Sequence, residues 1–362
     1  MKKILRPAAF AALAAITCAA PAQTSQKLTA GKANEYGLMY TLPLTALDIY
    51  IAAELTEEHP GEFANYARRH LSVDNAITND RRSARITDVL VVPRGVPDTE
   101  TRYLAQFKNG TSAFMTLTPE NIPLAVNSEQ AFEIAAPAIP APREAEPSPL
   151  ETEAARQAVT QDMARSASVS KKAELAAQRI FELRETRSDI LSGQADNPPA
   201  DGNAMKLVLD NLSAQEAALT AMFAGVRKNS TVVEKYTIVP DSADISGKVI
   251  ARLSAVDGLI DADNLAGAPV TLNMRILEAG ELPVNEKGEP KSFPKGGVAY
   301  RVPGTALVEL VYNGRTVAST EVTLAQLGVV FGLSPALFTD KKEPYKAVFD
   351  PATGAVVELA PM

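Results

Sequence analysis

The most constraining feature of this chain is an alternation. Leu47, Ile49, Ile51, Ala53 and Leu55 are interleaved with Asp48, Tyr50, Ala52 and Glu54. An extended strand, whose successive side chains leave opposite faces, gathers the first set on one side and the second on the other. Such a strand needs neighbours and a core. Tyr103 to Phe107 and Ala113 to Leu117 flank Lys108-Asn109-Gly110-Thr111, and Thr305 to Tyr312 and Arg315 to Leu324 flank Asn313-Gly314. Asn-Gly tolerates the positive φ angles of a type I′ turn, so both pairs read as hairpins. A last hairpin is expected around Thr353-Gly354, and a short helical pattern follows Pro60-Gly61 through Phe63, Tyr66, Ala67 and Leu71.

The middle of the chain reads differently. Residues 137–149 hold five prolines among Ala, Glu and Ser, a composition that favours an extended tether. With the polar, Ala-rich stretch after it, the expected linker covers 137–168. From Val169 to Leu191, Ala173, Ala176, Ala177, Ile180, Leu183, Ile190 and Leu191 share a helical stripe. Asn197-Pro198-Pro199, between Gly193 and Asp201, breaks that helix, and Asp201 is placed to cap the next. The second helix carries Met205, Val208, Leu209, Leu212, Leu219, Met222 and Phe223 and stops at Gly225. Ser213 and Glu216 have the spacing of a capping box that would restart it. The pattern predicts a helical hairpin over 169–226 between β-rich regions at 23–136 and 230–362. The fold class is therefore α+β, with the β regions sandwich-like.

The N-terminus reads as a leader. Lys2, Lys3 and Arg6 precede the apolar run Ala8 to Ala20, and Ala20-Pro21-Ala22 suits cleavage between Ala22 and Gln23. The run is shorter than the about 20 residues that span a bilayer, and no later run would do so. Cys18 follows Ala15-Ile16-Thr17, a poor match to a lipidation signal. The leader holds three of the 36 basic residues and none of the 43 acidic ones, leaving 33 against 43 and a net charge of −10. That balance disfavours nucleic acid and anionic lipid as partners. Cys18 is the one cysteine, so the processed chain has no thiol, disulfide or Cys-based metal site, and apolar cores must stabilise it. An exported, soluble location follows, in the periplasm or on the surface of a Gram-negative cell.

Catalytic chemistry has little material. His59 and His70 are the only imidazoles and lie eleven apart, which excludes the i, i+4 zinc pair of a helical metalloprotease. Both are expected as solvated surface groups. Ser168-Val-Ser-Lys171 and Ser292-Phe-Pro-Lys295 fit a serine–lysine spacing, but neither Ser-Asp-Asn nor Lys-Thr-Gly accompanies them. Asp257, Asp261 and Asp263 begin like a calcium loop, yet Leu265 and Ala266 stand where a ligand and a glycine are needed. That loop, like Asp196 to Asp201, reads better as a turn. No metal or cofactor is expected. Paired carboxylates of a glycosidase remain open among 43 acids, while the absence of tryptophan leans against a sugar platform.

An ordered series of segments carries a resemblance. Tyr36 to Glu54 (YGLMYTLPLTALDIYIAAE), Pro60 to Leu71 (PGEFANYARRHL), Gly95 to Tyr103 (GVPDTETRY) and Ala173 to Gly193 (AELAAQRIFELRETRSDILSG) come first. Ala195 to Gly202, Gln215 to Gly225, Gly258 to Pro269 (GLIDADNLAGAP), Tyr300 to Gly304 (YRVPG), Gln326 to Leu337 and Phe349 to Gly354 (FDPATG) follow. The series resembles domain-of-unknown-function family 4831, secreted proteins of Bacteroidetes-type bacteria. The resemblance implies export and no assigned activity, so no functional residues transfer. It also implies that Asp241-Ser242-Ala243 fits an O-glycosylation tripeptide of such bacteria, with Ser242 as acceptor. The expected role is a non-enzymatic module that binds or scaffolds another envelope protein. The alternatives are a carboxylate-based hydrolase of a glycan or peptide, and a glycan-binding protein without turnover.

Overall fold

A computed structural model describes residues 38–105, 113–132, 135–195 and 202–362. The leader with Cys18 and the Ala22–Gln23 junction, the Asn109-Gly110 turn and the segment Asp196 to Asp201 lie outside the described residues. The chain is α+β and mostly sheet. The alternating segment lies in a long strand, β1 (Leu38–His59). It pairs antiparallel on one side with β2 (Arg81–Ala105) and on the other, from Leu47 onward, with a strand from far along the chain. Short strands β3 (Met115–Leu117) and β4 (Pro123–Val126) follow. The distant partner of β1 is β5 (Val226–Ile238). Next come β6 (Ile245–Ser254), β7 (Gly258–Ile260), β8 (Ala268–Glu278), β9 (Val298–Tyr312) and β10 (Arg315–Leu333). β11 (Tyr345–Phe349) and β12 (Val356–Pro361) end the chain.

These strands form three sheets, ordered β2-β1-β5, β10-β9-β8-β6-β7 and β12-β11-β4-β3. The two β-rich stretches of the sequence do not form a sheet each. β5 completes the sheet of β1 and β2, and β11 pairs with β4. Asn313 and Gly314 take φ of 49° and 73° between β9 and β10, as a type I′ turn requires.

Helices fill the middle. α1 (Ala67–Leu71) follows a 3-10 turn at Ala64–Tyr66. α2 (Glu153–Ala158) and α3 (Gln161–Arg165) occupy part of the expected linker, and the Thr152 and Thr160 side chains accept hydrogen bonds from their first-turn amides. Ala158 and Met163 from these helices are buried, so 137–168 is not a tether throughout. α4 (Val169–Ser192) ends at Gly193 with φ 72°, and α5 (Gly202–Ala224) runs unbroken past Ser213. The capping box is not formed: Glu216 instead bonds Arg184 and Arg187 on α4. A last short helix is α6 (Pro335–Thr339). Among the described residues, no helix is long and apolar enough to cross a membrane.

The described residues form three apolar cores. Leu47, Ile49, Ile51 and Ala53 of β1 are fully buried against Val270, Leu272 and Met274 of β8, Val308 and Leu310 of β9, and Leu324 of β10. The earlier half of β1 sends Tyr40 and Leu42 into a second core with Val298, Phe338, Ala347 and Phe349. The third core is helical, with Phe63, Ile180, Leu183, Leu219 and Phe223 at its centre. Burying one such side chain contributes about 1.5–3 kcal/mol.

Between the first two cores, β1 crosses a crowded junction. Thr45 Oγ1 donates to the Ala352 carbonyl at 2.8 Å and accepts from the Ala325 amide at 2.9 Å. Gly95 lies opposite Thr45 on β2, and a Cβ there would sit 2.0 Å from the Pro351 carbonyl oxygen. A Gly95→Ala variant must therefore move backbone, and urea denaturation is expected to show a loss of about 1–3 kcal/mol. Gly202→Ala, with nothing within 4 Å of the new methyl, is expected to change stability little or raise it slightly.

Candidate functional site

The residues singled out from sequence are dispersed and mostly occupied. Ser168 accepts a hydrogen bond from the Lys171 amide and caps α4, and the Lys171 ammonium pairs with Glu174 at 2.9 Å. Ser254 Oγ bonds Asp257 at 3.2 Å, Asn264 Oδ1 accepts from the Ala266 amide, and Arg252 donates to the Ala262 and Gly267 carbonyls. The 257–266 loop is thus a turn tied by its own side chains. Asp241, Ser242 and Ala243 are exposed in a bend between β5 and β6. His59 is a surface group whose Nδ1 lies 2.7 Å from Asp80. His70 is half-buried rather than fully solvated: its ring stands edge-on to Phe223 at 6.4 Å, and its Nε2 is buried without a hydrogen-bond partner. The polar run Arg68-Arg69-His70 hid this, because α1 exposes its arginines while its other side lies against α4 and α5.

Sequence reading did not find the most perturbed carboxylate. Asp48 sits in the polar row of β1, yet it is only 4% exposed. Register brings three partners to it: Arg94 of β2 at 2.9 Å, and Lys235 and Thr237 of β5 at 2.8 and 2.7 Å. Burial alone pushes the carboxyl up, but these hydrogen bonds outweigh it and bring its pKa down from 3.8 to about 2. Lys235 also lies 5.7 Å from the Tyr50 ring centroid. Along the same sheet face, Arg85 binds Glu54 and Arg227 binds Glu58. A row of carboxylates on β1 is thus neutralised by cations on both flanking strands.

Two concave surfaces adjoin these elements. One, of about 320 Å³, is lined by Glu54, Arg143, Glu146, Arg227, Lys228 and Asn229 beside the outer edge of β5. There the Arg143 amide donates to the Thr231 carbonyl at 2.9 Å, and the Thr231 amide returns a bond of 2.7 Å. The other is an open depression of about 420 Å³ on the helices, lined by Arg184, Ser213, Glu216 and Thr220. Glu216 is held by Arg184 at 2.6 Å and Arg187 at 2.8 Å. Beyond it, Phe181, Leu191 and Leu207 are 52%, 66% and 72% exposed.

A carboxylate whose folded pKa is depressed contributes stability above its unfolded pKa and loses it as pH falls through the folded value. For Asp48 that window runs from about pH 4 down toward 2. Asp48→Asn is expected to lose about 1–2 kcal/mol near neutral pH, a modest figure because Arg94 and Lys235 are nearly half exposed. Urea titrations across pH should also show a shallower acid limb in the variant than in the parent.

The sequence profile of a family described as a domain of unknown function, DUF4831, matches residues 36–357. No curated protein and no solved structure matches the chain.

Proposed function

We propose, on the premise that the chain belongs to the DUF4831 family, that it is an exported envelope protein of a Gram-negative cell that binds or scaffolds another protein. Support for export is the basic–apolar–small order of Lys2, Lys3 and Arg6, Ala8 to Ala20, and Ala20-Pro21-Ala22. Support for binding is one observation: Phe181, Leu191 and Leu207 of α4 and α5 stand in water while Ile180, Leu183, Leu219 and Phe223 of the same helices are buried. The three side chains are, in this reading, the contacts for a partner, as apolar patches on a surface are where their members are contiguous. In this reading α4 and α5 are the arms of a hairpin, the sheets pack sandwich-like beneath it, and the occupant is an envelope protein with an apolar groove. Hydrolysis by paired carboxylates has less support, because Asp48 and Glu216 are each held by two cations. Ser242, exposed next to Asp241, is the proposed glycan acceptor.

A photoreactive residue at Leu207 is expected to capture one envelope protein in cells, and the same residue at Lys287 to miss it. With the probe kept at position 207, Phe181→Glu with Leu191→Glu should cut that capture about ten-fold or more while leaving the thermal midpoint unchanged. Identical adducts from both positions, or recovery of the chain alone, would overturn the binding role. Intact mass of the protein from its native host is expected to begin at Gln23 and to carry a sugar increment lost in Ser242→Ala. A chain still bearing residues 1–22 would end the export reading, and a bare mass the glycan.

A further inference from the structure

β5 is the last strand on its side of the β2-β1-β5 sheet. Among the described residues, the backbone bonds across its outer edge are the two that Thr231 exchanges with Arg143, an isolated antiparallel bridge. Arg143 belongs to the proline-rich segment 137–149, which is otherwise largely exposed. In an antiparallel ladder, neighbours of a bonded residue turn their amides away from the partner strand. Pro142 holds that outward position, so the segment offers no donor there for a further strand. It pairs with the sheet and terminates it in the same step.

We propose that segment 137–149 is a displaceable edge strand, and that β5 yields its outer edge to an extended, acidic, proline-flanked segment of a protein partner. Exposed sheet edges accept extended segments through main-chain bonds and take specificity from the side chains beside them. Charge sets the kind of segment. On β5, Arg227 and Lys235 are held by Glu58 and Asp48 of β1, and Lys228 is the cation that meets the edge segment's side. The resident segment brings Glu144 and Glu146, and Glu151 just beyond it bonds Lys228 at 2.8 Å. Continuing the register from Arg143 and Thr231 would place Glu146 opposite Lys228, beside the 320 Å³ cleft that both line. The hold is slight: one residue is bridged, and the Arg143 and Glu146 side chains pair with each other and are 71% and 80% exposed. A competitor paired along Val226–Ile238 makes more backbone bonds than the segment it displaces.

The surface is separate from the exposed positions of α4 and α5, so this inference and the helix-mediated role can fail independently. The test uses the processed full chain and a fluorescent peptide with the sequence of residues 137–149. Arg143→Pro removes the amide that bonds Thr231. Arg143→Cys with Thr231→Cys, in a processed chain without other cysteines, locks the segment when oxidised. The peptide is expected to bind Arg143→Pro about ten-fold or more tighter than the parent, and the reduced double-cysteine chain but not the oxidised one. Hydrogen exchange at the Thr231 amide in the parent should be faster than at Ile49 and Ile51. Equal binding to oxidised and reduced chains, no binding to either, or Thr231 exchange as slow as the core would overturn the proposal. A concentration-dependent doubling of mass in Arg143→Pro would assign the edge to a second copy and overturn it equally.

Discussion

The architecture turns on the point where β1 passes from one core to the next without a strand on both sides. Before Leu47, β5 does not reach β1, so the Thr45 amide and carbonyl need other partners. The side chain of Gln326 supplies them. Its Oε1 accepts from the Thr45 amide at 2.9 Å and its Nε2 donates to the Thr45 carbonyl and to Pro240, each at 3.0 Å. Gln326 can do this because the β9–β10 register slips between Leu324 and Val329, lifting residues 325–328 out of the ladder. One primary amide thus stands where a strand would, and the Thr45 hydroxyl ties the 350–354 turn to the same spot. The alternating residues on either side then commit β1 to two different cores. Satisfying the buried backbone here is what permits one continuous strand to hold both cores together.

That dependence explains which parts were legible in sequence. The inward row of β1 was readable because strand periodicity is a local property, and Asn313-Gly314 because turn chemistry is local too. Gly225, with φ 84°, ends α5 as its position suggests. Partner choice is not local. Nothing in Val226 to Ile238 names β1 as its neighbour, so the interleaving of early and late strands stayed hidden. The helices at 153–165 are short, and Thr152 and Thr160 rather than an apolar stripe start them. Asp48 reads as solvent-facing because its row is polar. Arg94 and Lys235, supplied by two other strands, convert it into a buried, fully ionised carboxylate. Arg143 was missed for the opposite reason: proline-rich composition argues for a tether, and a single bridge leaves no periodic trace.

The surfaces divide along the same physical line. Where carboxylates meet the sheet face, cations from the flanking strands neutralise them, and Glu216 is treated likewise between α4 and α5. A carboxylate held by two cations is a poor proton donor or nucleophile, since its charge and lone pairs are already engaged. Ser168, spent on the α4 amides, is equally poorly placed for chemistry. Asp48, Glu216 and Ser168 are thus engaged in holding the fold. The unspent features are of another kind: apolar side chains in water on α4 and α5, and a strand edge tied at one residue. Neither suits bond making, and both suit another polypeptide, one through burial of apolar area and the other through main-chain bonds. That contrast, between carboxylates held by paired cations and apolar side chains left in water, is what supports the proposed binding role.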